Sequence, residues 1–200
     1  RIMKRAVQAE AQLSAGLAAA PTLTTAFNSA NPLATQLQMV ARTIAARNAL
    51  GTKRQVFFVS LGGFDLHDNL LTQHPGLLTN VSEAISSFYA ATVELGVASQ
   101  VTTFTASDFG RTLTSNGDGS DHGWGSHHLI MGGAVQGRKT YGTFPVLTVN
   151  GPDDTSTGRW IPRVSVDQYS ATLAKWFGVG VSDLPSVFPN LGRFESSDLG

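Results

Sequence analysis

Two short runs of β-branched and aromatic residues, Gln55-Val56-Phe57-Phe58-Val59-Ser60-Leu61 and Val101 to Ser107, constrain this chain more than any other feature. Each is nearly continuous in apolar character, the pattern of a strand buried on both faces of a sheet. Between them Val81, Ile85, Phe88, Thr92 and Leu95 recur at helical spacing and stop at Gly96. Strand, helix, strand is a βαβ unit. It predicts an α/β fold with a mixed or mainly parallel sheet flanked by helices.

The remaining elements follow from the same rules. Residues 2 to 19 read as an Ala-rich helix closed by Pro21, and 21 to 32 as a loop. Leu33, Leu37, Val40 and Ile44 form one stripe of a helix ending near Asn48, before Gly51. Asn80 with Glu83 three residues on resembles a capping box for the helix that follows. His128 to Met131 and Val146 to Val149 are short strand candidates. Ser165 with Gln168 caps a last helix over 166–177, stopped by Gly178, and Pro185 and Pro189 mark an irregular tail. With no repeat and no long linker, residues 1–200 are expected to form a single domain, with 1–32 a peripheral helix and loop.

Composition removes several classes of function. A chain of 200 residues with 42% hydrophobic content can bury a core and is not a disordered tail. No run approaches the roughly 18 apolar residues of a membrane span. The absence of cysteine excludes disulfide scaffolds, thiolate-bound zinc and iron–sulfur clusters. Fourteen basic and fourteen acidic side chains balance, although seven of the basic ones precede residue 55, against the single acid Glu10. Those seven lie at helical intervals without interleaved aromatics, which suits solvated helix faces and argues against a nucleic-acid partner. Arg1-Ile2-Met3-Lys4-Arg5 imitates the start of a signal peptide, but Gln8, Glu10 and Gln12 interrupt the apolar stretch that should follow. As the chain also starts without Met, a processed or truncated product is expected.

The polar chemistry gathers in three loops. The first strand runs into Gly62-Gly63-Phe64-Asp65-Leu66-His67-Asp68-Asn69, and the second into Asp108-Phe109-Gly110-Arg111-Thr112. The third loop runs from Asn116 through Asp118, Asp121-His122-Gly123-Trp124 to His127-His128. Ligands of open α/β sheets collect beyond the carboxyl ends of strands, where these loops are expected. Carboxylate oxygen and imidazole nitrogen together suit zinc, manganese or iron, and tolerate magnesium or calcium with more oxygen donors.

Each residue also has a structural reading: Asp65 as a turn cap, His67 as donor to a carbonyl, Asp108 paired with Arg111, Asp121 as an Asx-turn former. His74, beside Pro75, reads as structural, and His127 and His128 point to opposite sides of a strand, so at most one faces the site. Other chemistries fit worse. Gly132 to Thr140 is nearly a phosphate-binding loop, but Arg138 displaces Lys139 from its place. No Gly-x-Ser-x-Gly elbow occurs. Asp65 and Asp108 could act as an acid/base pair, but no sugar-binding aromatic set flanks them.

Gly62-Gly63-Phe64-Asp65-Leu66-His67, Ser107-Asp108-Phe109-Gly110-Arg111-Thr112, Asn116 through Asp121-His122-Gly123-Trp124-Gly125, Tyr141-Gly142, Trp160-Ile161-Pro162 and Ser165 to Tyr169 occur here in one order. In that order and spacing they resemble the signature of domain-of-unknown-function family 1501, bacterial proteins that usually carry a twin-arginine export signal. The resemblance runs from about residue 33 to the end. It implies a periplasmic or exported location and an alkaline-phosphatase-like fold, the fold of sulfatases and phosphopentomutases, here lacking its N-terminal strands.

The resemblance further implies a metal-dependent hydrolase acting on phosphate or sulfate esters. Asp65, His67, Asp108 and His122 would hold a divalent ion (Zn, Mn, Mg or Ca). Arg111, with Asp121, His127 and His128 nearby, would meet an anionic small-molecule substrate. Three departures stand out: Phe109 replaces a metal-binding histidine, Asp65 and His67 are two apart rather than four, and residues 1–32 supply no nucleophile. They favour the alternative, a non-catalytic exported module that keeps the fold and at most one ion and binds a protein partner.

Overall fold

A computed structural model describes residues 2–194, which divide into two compact units. One unit comprises the chain up to Thr105 together with Leu129–Val135; the other comprises Ala106–His128 and the chain from Gln136 on.

The first unit is built on helices. α1 (Ile2–Ala19) packs on α2 (Pro32–Ala45) and the short α3 (Arg47–Leu50), and α2 packs along the long α4 (Leu70–Glu94). The apolar stripe of α2, Leu33, Leu37, Val40, Ala41 and Ile44, meets Ala84, Phe88 and Ala91 of α4 in one core. Three fully buried alanines, Ala41, Ala84 and Ala91, are small enough to let helices approach closely.

The start of α2 is fixed by Asn31, almost wholly buried. Its Oδ1 accepts from the Leu33 and Ala34 N–H groups at 3.0 and 3.2 Å, and its Nδ2 donates to the Asn80 carbonyl at 2.8 Å. Leu23 and Phe27 also pack on the core, so the loop expected to be peripheral contributes to it.

Four expectations need correction here. The capping box at Asn80 and Glu83 does not start a helix, because α4 begins ten residues earlier, after Asn69. Asn80 instead lies mid-helix and gives its carbonyl to Asn31, while Glu83 accepts from Asn28 Nδ2 at 3.3 Å. Pro75 sits near the start of α4 and lacks the N–H that would bond four residues back.

The run Gln55 to Leu61 joins no ladder among the described residues. Val59 and Leu61 pack on the core, whereas Val56 and Phe58 are 80% and 93% exposed. This alternation is strand-like, yet the neighbour is a side chain. The Ser60 N–H donates to Gln36 Oε1 at 3.1 Å, and Gln36 Nε2 donates back to the Ser60 carbonyl at 2.9 Å. An amide of α2 thus satisfies both backbone groups that a strand partner would have met.

The third correction concerns the sheet. β1 (Thr102–Phe104) pairs antiparallel with β4 (Ile130–Gly132), and β2 (Gly110–Ser115) pairs antiparallel with β3 (Ser120–Gly123). Every ladder among the described residues is therefore antiparallel and two-stranded, in place of the mixed or mainly parallel sheet expected. β1 takes as partner a segment that returns beside it, so no parallel crossover forms. The α/β character itself holds.

In the second unit, β2 and β3 form a hairpin with Gly110 opposite Gly123 and Arg111 opposite His122. Val146 to Val149 forms no strand. Its first N–H donates to the Asp153 carboxylate at 2.7 Å, and the chain turns at once, with the Gly151 N–H on the Thr148 carbonyl. Asp154 accepts the N–H groups of Asn150, Ser156, Gly158 and Arg159, all within 3.0 Å, and so ties one loop to itself. α5 (Val166–Phe177) starts with the expected Ser165/Gln168 capping box and ends at Gly178 in the left-handed conformation. Its Ala171 joins Leu184 and Leu191 in a small core with α6 (Leu184–Val187).

Candidate functional site

In the first unit the loop 62–69 leaves the apolar run through Gly62-Gly63. Gly63 takes φ 97°, a region that favours glycine, and a Cβ there would stand 3.2 Å from Leu77. Leu66 is buried and anchors the loop, and the residues on either side of it, Asp65 and His67, are exposed. Asp65 Oδ1 lies 3.0 Å from His67 Nε2. A carboxylate and an imidazole two residues apart are thereby brought onto one side of a pinned turn. His74 packs edge-on against Phe64, with ring centroids 6.2 Å apart, in keeping with a structural role.

The second unit carries the other candidates. Asp108 is exposed, beside a turn in which Ser107 Oγ donates to the Phe109 carbonyl at 3.1 Å. His122 stacks on Phe109 with centroids 3.9 Å apart and planes 8° from parallel. The Arg111 guanidinium carbon stands 5.7 Å from the centre of the same Phe109 ring. Arg111 Nε donates to Ser120 Oγ at 3.1 Å and a terminal nitrogen donates to the Ser120 carbonyl, so this arginine fastens β2 to β3. The His122 carbonyl accepts from Arg159 Nε at 2.9 Å.

Asp121 lies on β3 and bonds across the hairpin. It accepts from Asn116 Nδ2 at 3.1 Å, and its N–H donates to Thr112 Oγ1 at 3.0 Å. His127 is exposed, with Nδ1 3.5 Å from Ser126 Oγ. His128 stacks on Tyr169 at 6.2 Å between centroids. Partial desolvation, aided by the charge of His127, lowers the His128 pKa, and burial pushes the Tyr169 phenol up to about 12. His128 is thus biased toward its neutral form, able to accept a proton at one nitrogen.

Of the residues singled out in the sequence, the first unit brings Asp65 and His67 together, and the second gathers Arg111, Asp121 and His122 on one hairpin. Phe109 and Arg159, which hold His122 by ring and by backbone, carry no sequence signal as supports. Their roles depend on the β2–β3 register and on a loop that returns from residue 159.

A family model described as "Protein of unknown function (DUF1501)" matches residues 2–182. No curated protein matches the chain, and no solved structure does.

Proposed function

The chain belongs to the DUF1501 family of proteins of unknown function, and from that premise we propose that it binds a divalent cation and serves the hydrolysis of phosphate or sulfate esters. The ligands in this reading are Asp65, His67, Asp108 and His122. The observation that supports it best is the pair Asp65 and His67, with oxygen and nitrogen 3.0 Å apart on an exposed, pinned turn. Donors that each bind one ion at about 2.0–2.2 Å stand roughly 3 Å from one another, so the pair fits such an ion as well as it fits a hydrogen bond. The donor types suit zinc or manganese, with magnesium or calcium less well matched.

A bound cation of this kind supplies Lewis-acid polarisation and lowers the pKa of a coordinated water. The chain's own residues would do the rest. Arg111, beside the Phe109 ring on β2, would meet an ester's anionic oxygens. His128, biased toward neutrality, would exchange a proton. The alkaline-phosphatase-like arrangement and the exported location belong to the same proposal and rest on the family resemblance.

The non-catalytic reading has one observation in its favour: Arg111 is already committed to Ser120 and to the Phe109 ring. A panel of phosphate and sulfate esters, assayed with and without zinc or manganese, separates the two readings. Turnover that depends on the added metal and falls in His67→Ala is expected for a hydrolase. A flat panel with metal tightly retained would establish the binding module instead.

A further inference from the structure

We propose that Phe109 is a positioning residue for His122, holding its imidazole in the plane from which it ligates the cation. The inference rests on the cation-binding reading and adds to it a reason for a phenyl ring at this position. The resemblance to alkaline-phosphatase-like proteins makes Phe109 look like a ligand lost. The structure gives the ring another task.

A centroid separation of 3.9 Å with planes 8° apart is full face-to-face contact, closer than the usual 4.5–7 Å of aromatic pairs. Imidazole binds metal through lone pairs lying in the ring plane at its edge. Stacking uses the face. The two interactions therefore do not compete: a phenyl ring on one face restrains rotation about the side-chain bonds, while ligation uses the edge.

The hairpin is built to permit this contact. Gly110 and Gly123 face each other beside the stacked pair and present no side chains. Neither could carry one, since a Cβ on Gly110 would lie 2.2 Å from the Gly125 carbonyl oxygen and one on Gly123 2.9 Å from that of Arg111. The Arg111 guanidinium stands by the same phenyl ring, and a cation near an aromatic face restrains that ring in turn. Arg159 holds the backbone of His122 through its carbonyl, and the Arg159 N–H is itself held by Asp154 at 3.0 Å. The backbone and the ring of His122 thus have separate supports. Supports of this kind, which orient a ligand without touching the metal, typically govern 10–100-fold in affinity.

The test uses the full chain with Phe109→Leu, Phe109→Tyr and His122→Ala, and zinc ion as the probe, its affinity measured by chelator competition. NMR of the His122 ring protons in the metal-free protein reports the stack through its ring-current shielding. Phe109→Leu is expected to weaken zinc binding by about tenfold or more and to move those ring signals downfield. Phe109→Tyr is expected to restore both, which a general loss of stability would not do. If Phe109→Leu leaves zinc affinity unchanged while His122→Ala lowers it, the positioning role is overturned and the cation-binding reading survives. If His122→Ala leaves affinity unchanged, His122 is no ligand and the positioning role falls, while cation binding then rests on Asp65 and His67. Ring signals that do not move in Phe109→Leu would show that no stack exists in solution, and would overturn the proposal directly.

Discussion

At the scale of single residues, Asn31 shows how one amide can hold two helices. Its carbonyl oxygen caps α2 through two N–H groups, and its amide nitrogen reaches α4 at Asn80. An N-cap is worth about 1 kcal/mol, up to 2, and losing the part-buried bond to the Asn80 carbonyl adds roughly 1 kcal/mol more. Asn31→Ala is therefore expected to lower stability by about 2–3 kcal/mol, read as a shift of the urea midpoint without loss of helical signal in the folded baseline. In the sequence Asn31 reads as part of a loop, because its second bond spans 49 positions and depends on helix packing. The same holds for Phe109. Its identity is plain in the sequence, whereas its stacking partner is set by the hairpin.

At the scale of elements, local signals succeed where they are sufficient and mislead where distant atoms compete. α5 was legible to the residue because Ser165, Gln168 and Gly178 act within their own helix. The start of α4 was misread because Asn80 and Glu83 have the right spacing for a cap but are taken by Asn31 and Asn28. The strand expected at Gln55 to Leu61, buried on both faces, was misread, because a strand's partner is not encoded in its own composition: Gln36 stands in for one at Ser60, and Val56 and Phe58 stay exposed.

The loop before α2 is tied to the end of α4 by Glu94. Its carboxylate accepts the Thr24 and Thr25 N–H groups at 2.6 and 2.8 Å as well as both hydroxyls. These bonds, the Thr24 N–H foremost, lower its pKa from 4.5 to about 2. A carboxylate depressed by folding contributes stability above its unfolded value and loses it as pH falls toward the folded one. The stability advantage of the natural chain over Glu94→Gln should hold above about pH 4.5 and shrink progressively toward pH 2 in urea titrations. An advantage independent of pH across that window would dissolve the tie.

At the scale of the whole molecule, zero net charge and sparse charged residues leave the polar chemistry concentrated in a few loops. No helix among the described residues is long and apolar enough to cross a membrane. The candidate residues were legible because Asp-x-His on a Gly-Gly turn is a local pattern that places both side chains together. The commitments of Arg111 to Ser120 and of Asp121 to Asn116 were not, since both follow from the β2–β3 register. Cation binding is the claim on which the functional reading stands. Its most direct measurement is the metal content, by plasma mass spectrometry, of the chain dialysed against zinc or manganese, beside Asp65→Ala and His67→Ala prepared alike. Stoichiometric metal in the natural chain and its loss in both variants is the expected result; equal metal in all three, or none in any, would contradict it.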